Sequence, residues 1–307
     1  MSRSTSDHAT GSRENRRPRI GLALSGGAAR AFAHLGVLRV LSEHNISFDF
    51  IAGTSAGAIV GAALAAGLSV AEIEEISRNM RWRDAGRMTL SRLGIQSNAP
   101  LEAWLRKHLP VTRFEDLPVP FAAVATDLHA GTAVMLHGTG DIPFAVRASC
   151  ALPGWYVPVT DEAGRQLVDG GLVANVPSKA VRELGADKVI AVDLNADGAK
   201  FLSSPRTALG VLLQSIMVVQ RTASSHQWQA ADVIIRPKIG HIRWDEINRA
   251  DELYAAGEAA ARASIEEIKQ LLAPAIPTPA PKWYQLRRRK AFRAEENQNR
   301  LHTTTSR

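Results

Sequence analysis

The chain has little on which redox or cysteine-based metal chemistry could be built. Among 307 residues Cys150 is the only cysteine, so no internal disulfide and no multi-cysteine metal site can form. The N-terminal residues 1–18 lack the apolar core of a secretory signal, and their polar, charged composition predicts a disordered tail. Residues 50–71 carry no charge and are long enough for a bilayer. They are rich in Ala and Gly, however, and hold Ser55 within a turn signal, which fits a strand, a tight turn and a buried helix better than a span.

A basic face is also missing from the body. The net charge of +7 comes from the ends: residues 1–19 hold five basic and two acidic residues, and residues 282–307 hold eight and two. The intervening 20–281 have 24 basic and 26 acidic residues. A nucleic-acid partner is therefore not expected, because the positive field lies in tails and not on a surface.

Hydrophobic spacing organises what remains. Arg19–Leu24 alternates and runs into Ser25-Gly26-Gly27, after which residues 28–44 have helical spacing. The same order recurs at Phe48–Ala52, a serine turn, and a Gly/Ala-rich helix to about Gly67. Two successive strand–turn–helix units predict an α/β sheet. Helices are expected over 71–80, 101–108, 142–150, 177–184 and 245–272, with 81–92 as a surface connection between the first two. Strands are expected at 121–126, 133–137, 166–168, 188–194 and 233–236. The uncharged 207–220 reads as a buried helix.

Gly53-Thr54-Ser55-Ala56-Gly57 is a Gly-x-Ser-x-Gly pentapeptide between a strand and a helix. Its glycines permit a turn too tight for a Cβ, the serine projects from the strand end, and the helix behind it offers amides and a favourable dipole. Glycine-rich turns also serve close packing, so the motif alone leaves both readings open.

A nucleophilic serine needs a base. In a Ser-Asp-His order the histidine would be His226, His241 or His302, none in a strand-end setting, and His34 reads as a packed core histidine. Asp169 is the better candidate. It ends a short strand, Gly170 and Gly171 let other segments approach its backbone, and burial would raise its pKa. The same triplet is also a β-turn signature. Cys150, in an apolar setting, reads as packing.

In combination, Ser25-Gly26-Gly27-Ala28-Ala29-Arg30, the pentapeptide around Ser55, the segment RASCALPGWYVPV at 147–159, and Asp169-Gly170-Gly171 resemble the bacterial branch of the patatin-like phospholipase family over residues 19–235. The resemblance implies a three-layer α/β sandwich with a mostly parallel central sheet in a domain spanning 19–272. It also implies a Ser-Asp dyad without a catalytic histidine, in which Ser55 is the nucleophile and Asp169 the base. Gly26, Gly27 and Ala28 would supply oxyanion-hole amides, which helix N-termini are suited to provide. Gly53, Gly57, Gly170 and Gly171 would support the motif, and Arg30 would either buttress the glycine loop or meet a phosphate. Ser25 and Ala31 depart from the family pattern, standing where many members carry glycine; alanine is tolerated there if its φ is negative.

The implied activity is hydrolysis of lipid acyl esters, phospholipid or lysophospholipid, with no cofactor and no metal. A non-enzymatic regulatory protein on the same fold, or an acyltransferase or thioesterase, are the alternatives. A nucleotide-binding module fits less well, because SGGAAR lacks the Gly-x-Gly-x-x-Gly spacing and the phosphate-binding lysine. After residue 272 a proline-rich linker leads to a tail over 273–307, where 282–293 mixes six basic residues with Trp283, Tyr284, Leu286 and Phe292. That mixture suits peripheral contact with an anionic membrane, as does the arginine- and tryptophan-bearing stretch 80–93. A disordered solubilising tail and a solvated surface loop fit the same two stretches, so the expectation is a cytoplasmic protein, with peripheral contact at the inner face of the membrane as one of two readings of the tail.

Overall fold

A computed structural model describes residues 17–196 and 205–273. The central sheet takes its order from five parallel strands. These are β1 (Ile20–Leu24), β2 (Phe50–Thr54), β5 (Phe121–Asp127), β10 (Lys188–Val192) and β11 (Val233–Ile235), arranged β11-β10-β1-β2-β5. The chain leaves this sheet after β2 to build β3 (Arg87–Met88) and β4 (Gly94–Ser97). With β7 (Gly154–Tyr156) they form a separate three-stranded sheet. Beyond β5 the main sheet turns antiparallel through β6 (Thr132–His137), β8 (Val159–Thr160) and β9 (Gln166–Asp169).

Alternation along the parallel strands explains why both faces are covered. Leu22, Leu24, Ile51, Ile190 and Val192 join one core cluster, with α1 (Phe32–Glu43), α2 (Ala56–Ala65), α5 (Ala99–His108), α6 (Ile142–Ser149) and α10 (Ala250–Leu272). Ala23, Ala52, Ala122 and Ala191 point the other way, and their small side chains let α8 (Ser178–Leu184) lie close. The result is the expected three-layer sandwich. The remaining helices are α3 (Val70–Asn79), α4 (Trp82–Ala85), α7 (Gly171–Ala174) and α9 (Ala208–Gln227).

Two sequence expectations are corrected. Residues 81–92 are no bare connection: they form α4 and the first strand of a β3–β4 hairpin. The helix expected at 207–220 extends to Gln227 and is not buried, because Leu213, Gln220 and Ser224 face inward at helical spacing while Val211, Leu212, Val218 and Val219 stand in solvent. Arg17, within the expected N-terminal tail, forks onto Asp49 at 2.7 and 2.9 Å. The proposed tail contact at 282–293 lies outside the described residues. Among those described, no helix is long and apolar enough to cross a membrane.

Candidate active site

Strand register brings Ser55 and Asp169 together although 114 positions of sequence separate them. Strand β2 pairs with the first half of β5, ending at Thr54 opposite Val124. Strand β9 pairs with the second half, ending at Asp169 opposite Ala125. Because β6 occupies β5 across both halves, β2 and β9 share the opposite edge and meet end to end. Their C-terminal residues therefore converge.

Ser55 sits between β2 and α2 with φ 52° and ψ −124°, a backbone region that costs a side-chain-bearing residue on the order of 1–3 kcal/mol. The surroundings hold it there. Its N–H donates to Ser149 Oγ at 2.9 Å, and that hydroxyl donates to the Val124 carbonyl at 2.6 Å. Gly57 is indispensable to the turn, since a Cβ on it would lie 2.3 Å from the Leu24 carbonyl oxygen.

Asp169 is buried at the end of β9. Its Oδ1 accepts the Gly171 N–H at 2.8 Å, and the Ser55 side chain lies beside its carboxylate. Thr126 Oγ1 donates to its backbone carbonyl at 2.9 Å. Burial raises the carboxyl pKa to about 6, and the neighbouring Ser55 hydroxyl and Gly171 N–H pull only partly the other way. A carboxylate so placed is ionised at neutral pH yet basic enough to take a hydroxyl proton.

The glycine loop after β1 forms the opposite wall. The Gly26 N–H, an oxyanion-hole donor in the resemblance, donates to the Asn175 carbonyl at 3.3 Å. The N–H groups of Gly27 and Ala28 have no acceptor among the described residues. They open a 3-10 turn, Ala28–Ala31, that leads into α1. Ala31 has φ −55°, so alanine is unstrained there; the strained residue is Ala28, at φ 49°. Ser25, the other departure, accepts the Leu194 N–H on its Oγ at 2.9 Å and thereby ties the loop to the end of β10.

Arg30 is tied to the loop that follows β10 and also lines the cavity at Ser55. Its buried guanidinium donates to Asn195 Oδ1 and the Leu194 carbonyl, while Asn195 Nδ2 donates to the Gly26 carbonyl at 3.1 Å. Desolvation lowers its pKa to about 10, partly countered by Asp193. His34 is a structural residue, as its sequence setting predicts. Its Nε2 donates to the Ser25 carbonyl at 2.8 Å, and complete burial lowers its pKa to about 4, leaving it neutral. His241 pairs with Glu252, and neither it nor His34 lines the cavity at Ser55. The His226 side chain and all of His302 fall outside the described residues.

Sequence reasoning missed Ser149, Asn175, Asp193 and Asn195. Asp193 and Asn195 follow the C-terminal end of a parallel strand, where functional groups collect in such sheets, and that position was the available signal. Ser149 and Asn175 gave none, because their partners, the Ser55 N–H and Val124 carbonyl for one and the Gly26 N–H and Ser224 hydroxyl for the other, are remote in sequence. Cys150 proves to be more than packing: its thiol contacts Ser55, and burial together with the Asp169 charge pushes its pKa up, so it stays a thiol.

Ser55 and Asp169 open into a cavity of about 200 Å³. Its walls are chiefly apolar, including Ile59, Val60, Leu152 and Met217, and Trp82, Trp155 and Trp244 also line it. Trp244 meets the other two rings edge-on at 5.8 and 6.1 Å between centroids. Such a site suits a long apolar group carrying one polar, reactive end. Among the described residues no cluster of side chains could hold a metal ion.

Fold and site together define an α/β protein with a serine elbow facing a buried carboxylate. The patatin-like phospholipase family model matches residues 22–182, more than half of the chain and inclusive of Ser55 and Asp169, and the chain belongs to that family. It is 37% identical over 185 residues to an uncharacterized NTE family protein of Mycobacterium tuberculosis, covering 59% of this chain and 51% of that one. A lysophospholipase of Mycosarcoma maydis is 35% identical over 188 residues, 58% of this chain and 10% of that one. The chain thus spans about half, or less, of the length of these relatives. The crystal structure of VipD from Legionella pneumophila shares the fold with a TM-score of 0.52 at 13% identity, over 81% of this chain and 68% of that one.

Proposed function

We propose that this protein is a serine-dependent hydrolase of lipid acyl esters, of phospholipase A or lysophospholipase type. The observation that carries this reading is the juxtaposition of the Ser55 side chain and buried Asp169 on the wall of one apolar cavity. Family membership and the lysophospholipase relative support the choice of lipid substrate.

In this mechanism an acyl chain lies along the apolar wall with its ester carbonyl over Ser55. The Ser55 Oγ attacks the carbonyl carbon as Asp169 takes its proton, and the oxyanion is received by the N–H groups of Gly27 and Ala28. Collapse breaks the ester bond, and the leaving alcohol takes the proton back from Asp169. Water then attacks the acyl-enzyme, giving its proton to Asp169 and releasing the fatty acid, and the proton returns to Ser55. The strained elbow holds the nucleophile in line, and the raised Asp169 pKa narrows the proton-transfer mismatch without removing it.

Hydrolysis of a short-chain nitrophenyl ester and of a lysophospholipid, by wild type and by folded Ser55→Ala and Asp169→Asn, tests the reading. Ser55→Ala is expected to lose about three orders of magnitude or more in kcat, and Asp169→Asn about two to four. Full activity in either folded variant removes that residue from the mechanism.

A further inference from the structure

Two exposed elements flank the cavity and share an unusual composition. The first is the stretch from α4 through the β3–β4 hairpin, which presents Trp82, Met88, Leu90 and Leu93; Leu90 is fully exposed. The second is the outer face of α9, with Val211, Leu212, Val218 and Val219. They are one continuous surface. Strand β7 pairs with β4, and α9 packs on β7, since a Cβ on Gly154 would lie 3.3 Å from Leu212 and 3.4 Å from Leu209. Trp82 from the first element and Met217 from the second both line the cavity.

Charge marks the same surface. Arg81, Arg83, Arg87, Arg92, Arg206 and Arg221 are exposed, and none makes an ion pair among the described residues. Exposed arginines elsewhere are matched: Arg39 meets Glu43 and Glu258, Arg106 meets Glu102 and Asp141, and Arg236 lies over the Trp228 ring. Between residues 80 and 93 the only acid is Asp84, whose carboxylate is occupied by the Arg81 N–H at 2.9 Å, and α9 has no acid at all.

Apolar side chains standing in solvent among unpaired arginines, around the entrance to an apolar cavity, fit an interface between water and anionic lipid. We propose that this face, the α4–β4 segment together with α9, seats the cavity mouth on an anionic bilayer. The proposal rests on the lipid-hydrolase reading for its choice of substrate. Leu90 and Leu93 enter the acyl boundary, the arginines meet phosphate groups, and the acyl chain reaches Ser55 without crossing water. A second copy of the chain is a poorer occupant, because a two-fold contact would press two arginine-rich, acid-free faces together.

The test is sedimentation of the full chain with phosphatidylcholine vesicles, with and without phosphatidylglycerol, using Ser55→Ala so that binding is read without turnover. Binding is expected to require phosphatidylglycerol and to weaken with salt. It should fall about tenfold in Leu90→Glu/Leu93→Glu and about tenfold in Arg87→Gln/Arg92→Gln. Those positions are exposed, so unchanged circular dichroism is expected. The proposal is overturned if anionic vesicles are not bound, or if both variants bind as the parent does. Loss of binding only in Arg287→Gln/Arg288→Gln/Arg289→Gln also overturns it, placing the contact in the C-terminal segment. So does a concentration-dependent dimer dissolved by the Leu90/Leu93 variant without any vesicle binding. Vesicle binding in a wild-type protein that cleaves no ester would uphold the docking face and defeat the hydrolase reading; ester cleavage without vesicle binding would do the reverse.

Discussion

The floor and the mouth of the cavity are built on opposite terms. At the floor the chain is tied down by hydrogen bonds: the Ser55 N–H by Ser149, Asp169 by Gly171, the glycine loop by Asn175, Asn195 and His34. At the mouth, apolar side chains and arginines stand unengaged in solvent. Function sets the difference. A reacting constellation requires fixed geometry, whereas a surface that meets a fluid partner must keep its groups free until contact.

The sharpest way to break this comparison is to put atoms into the floor where there is no room. Gly57→Ala places a Cβ 2.3 Å from the Leu24 carbonyl, a backbone atom of a central strand that cannot move aside. A loss of several kcal/mol of stability is expected, on the order of 3, together with nearly all activity. Denaturant unfolding checks the first and ester hydrolysis the second. A stable, active Gly57→Ala protein would mean that the elbow is softer than the register of β1 and β2 implies.

Asp169 offers a more selective probe, since its cost to stability and its value to chemistry have the same origin. Its folded pKa is raised above the unfolded carboxylate value, so folding favours the protonated form. That contribution is fully present below about pH 4 and is lost as pH rises through about 6. Asp169→Asn is therefore expected to be more stable than wild type by about 3 kcal/mol at pH 7, with the difference shrinking to below about 1 kcal/mol near pH 4. Over the same window kcat/KM of wild type should rise as the base ionises. An unchanged difference in unfolding free energy between pH 4 and pH 7 would show that the carboxylate is not desolvated.

The floor was legible in the sequence because its signals are local. Gly53 to Gly57 and Asp169 to Gly171 each encode a turn within five residues, and strand–turn–helix order placed both in an α/β sheet. Long-range partners were not legible. Nothing in the chain around Ser149 points to the Ser55 amide 94 positions away, and the spending of Gly26 on Asn175 depends on how the α7–α8 connection crosses the loop. At the mouth, an uncharged run in α9 read as buried because hydropathy reports affinity for an apolar phase, whichever phase that is. Among the described residues nothing covers that face.

The glycine loop gives a finer test of the floor. Ala28 occupies a positive φ that glycine adopts freely, whereas Ala31 has ordinary helical angles. Ala28→Gly is expected to be neutral or stabilising by up to about 1 kcal/mol, and Ala31→Gly destabilising by about 0.5–1 kcal/mol. Thermal melts of the pair decide it. The opposite order would place the loop's strain at the position where the family pattern, not the backbone, suggests it.

The smallest expected effect belongs to the mouth and has the plainest consequence. Leu35→Ala, inside the core, should cost about 2–5 kcal/mol, while Leu90→Ala should change stability by less than about 0.5 kcal/mol, because Leu90 has no contact to lose. The measurement is urea unfolding of both variants in the absence of lipid. A cost above about 1 kcal/mol for Leu90→Ala would show that something already covers the hairpin tip in solution, and would end the contrast between an engaged floor and a free mouth. A negligible cost leaves an exposed leucine with no part in holding the fold, and so assigns it to whatever the cavity opens towards.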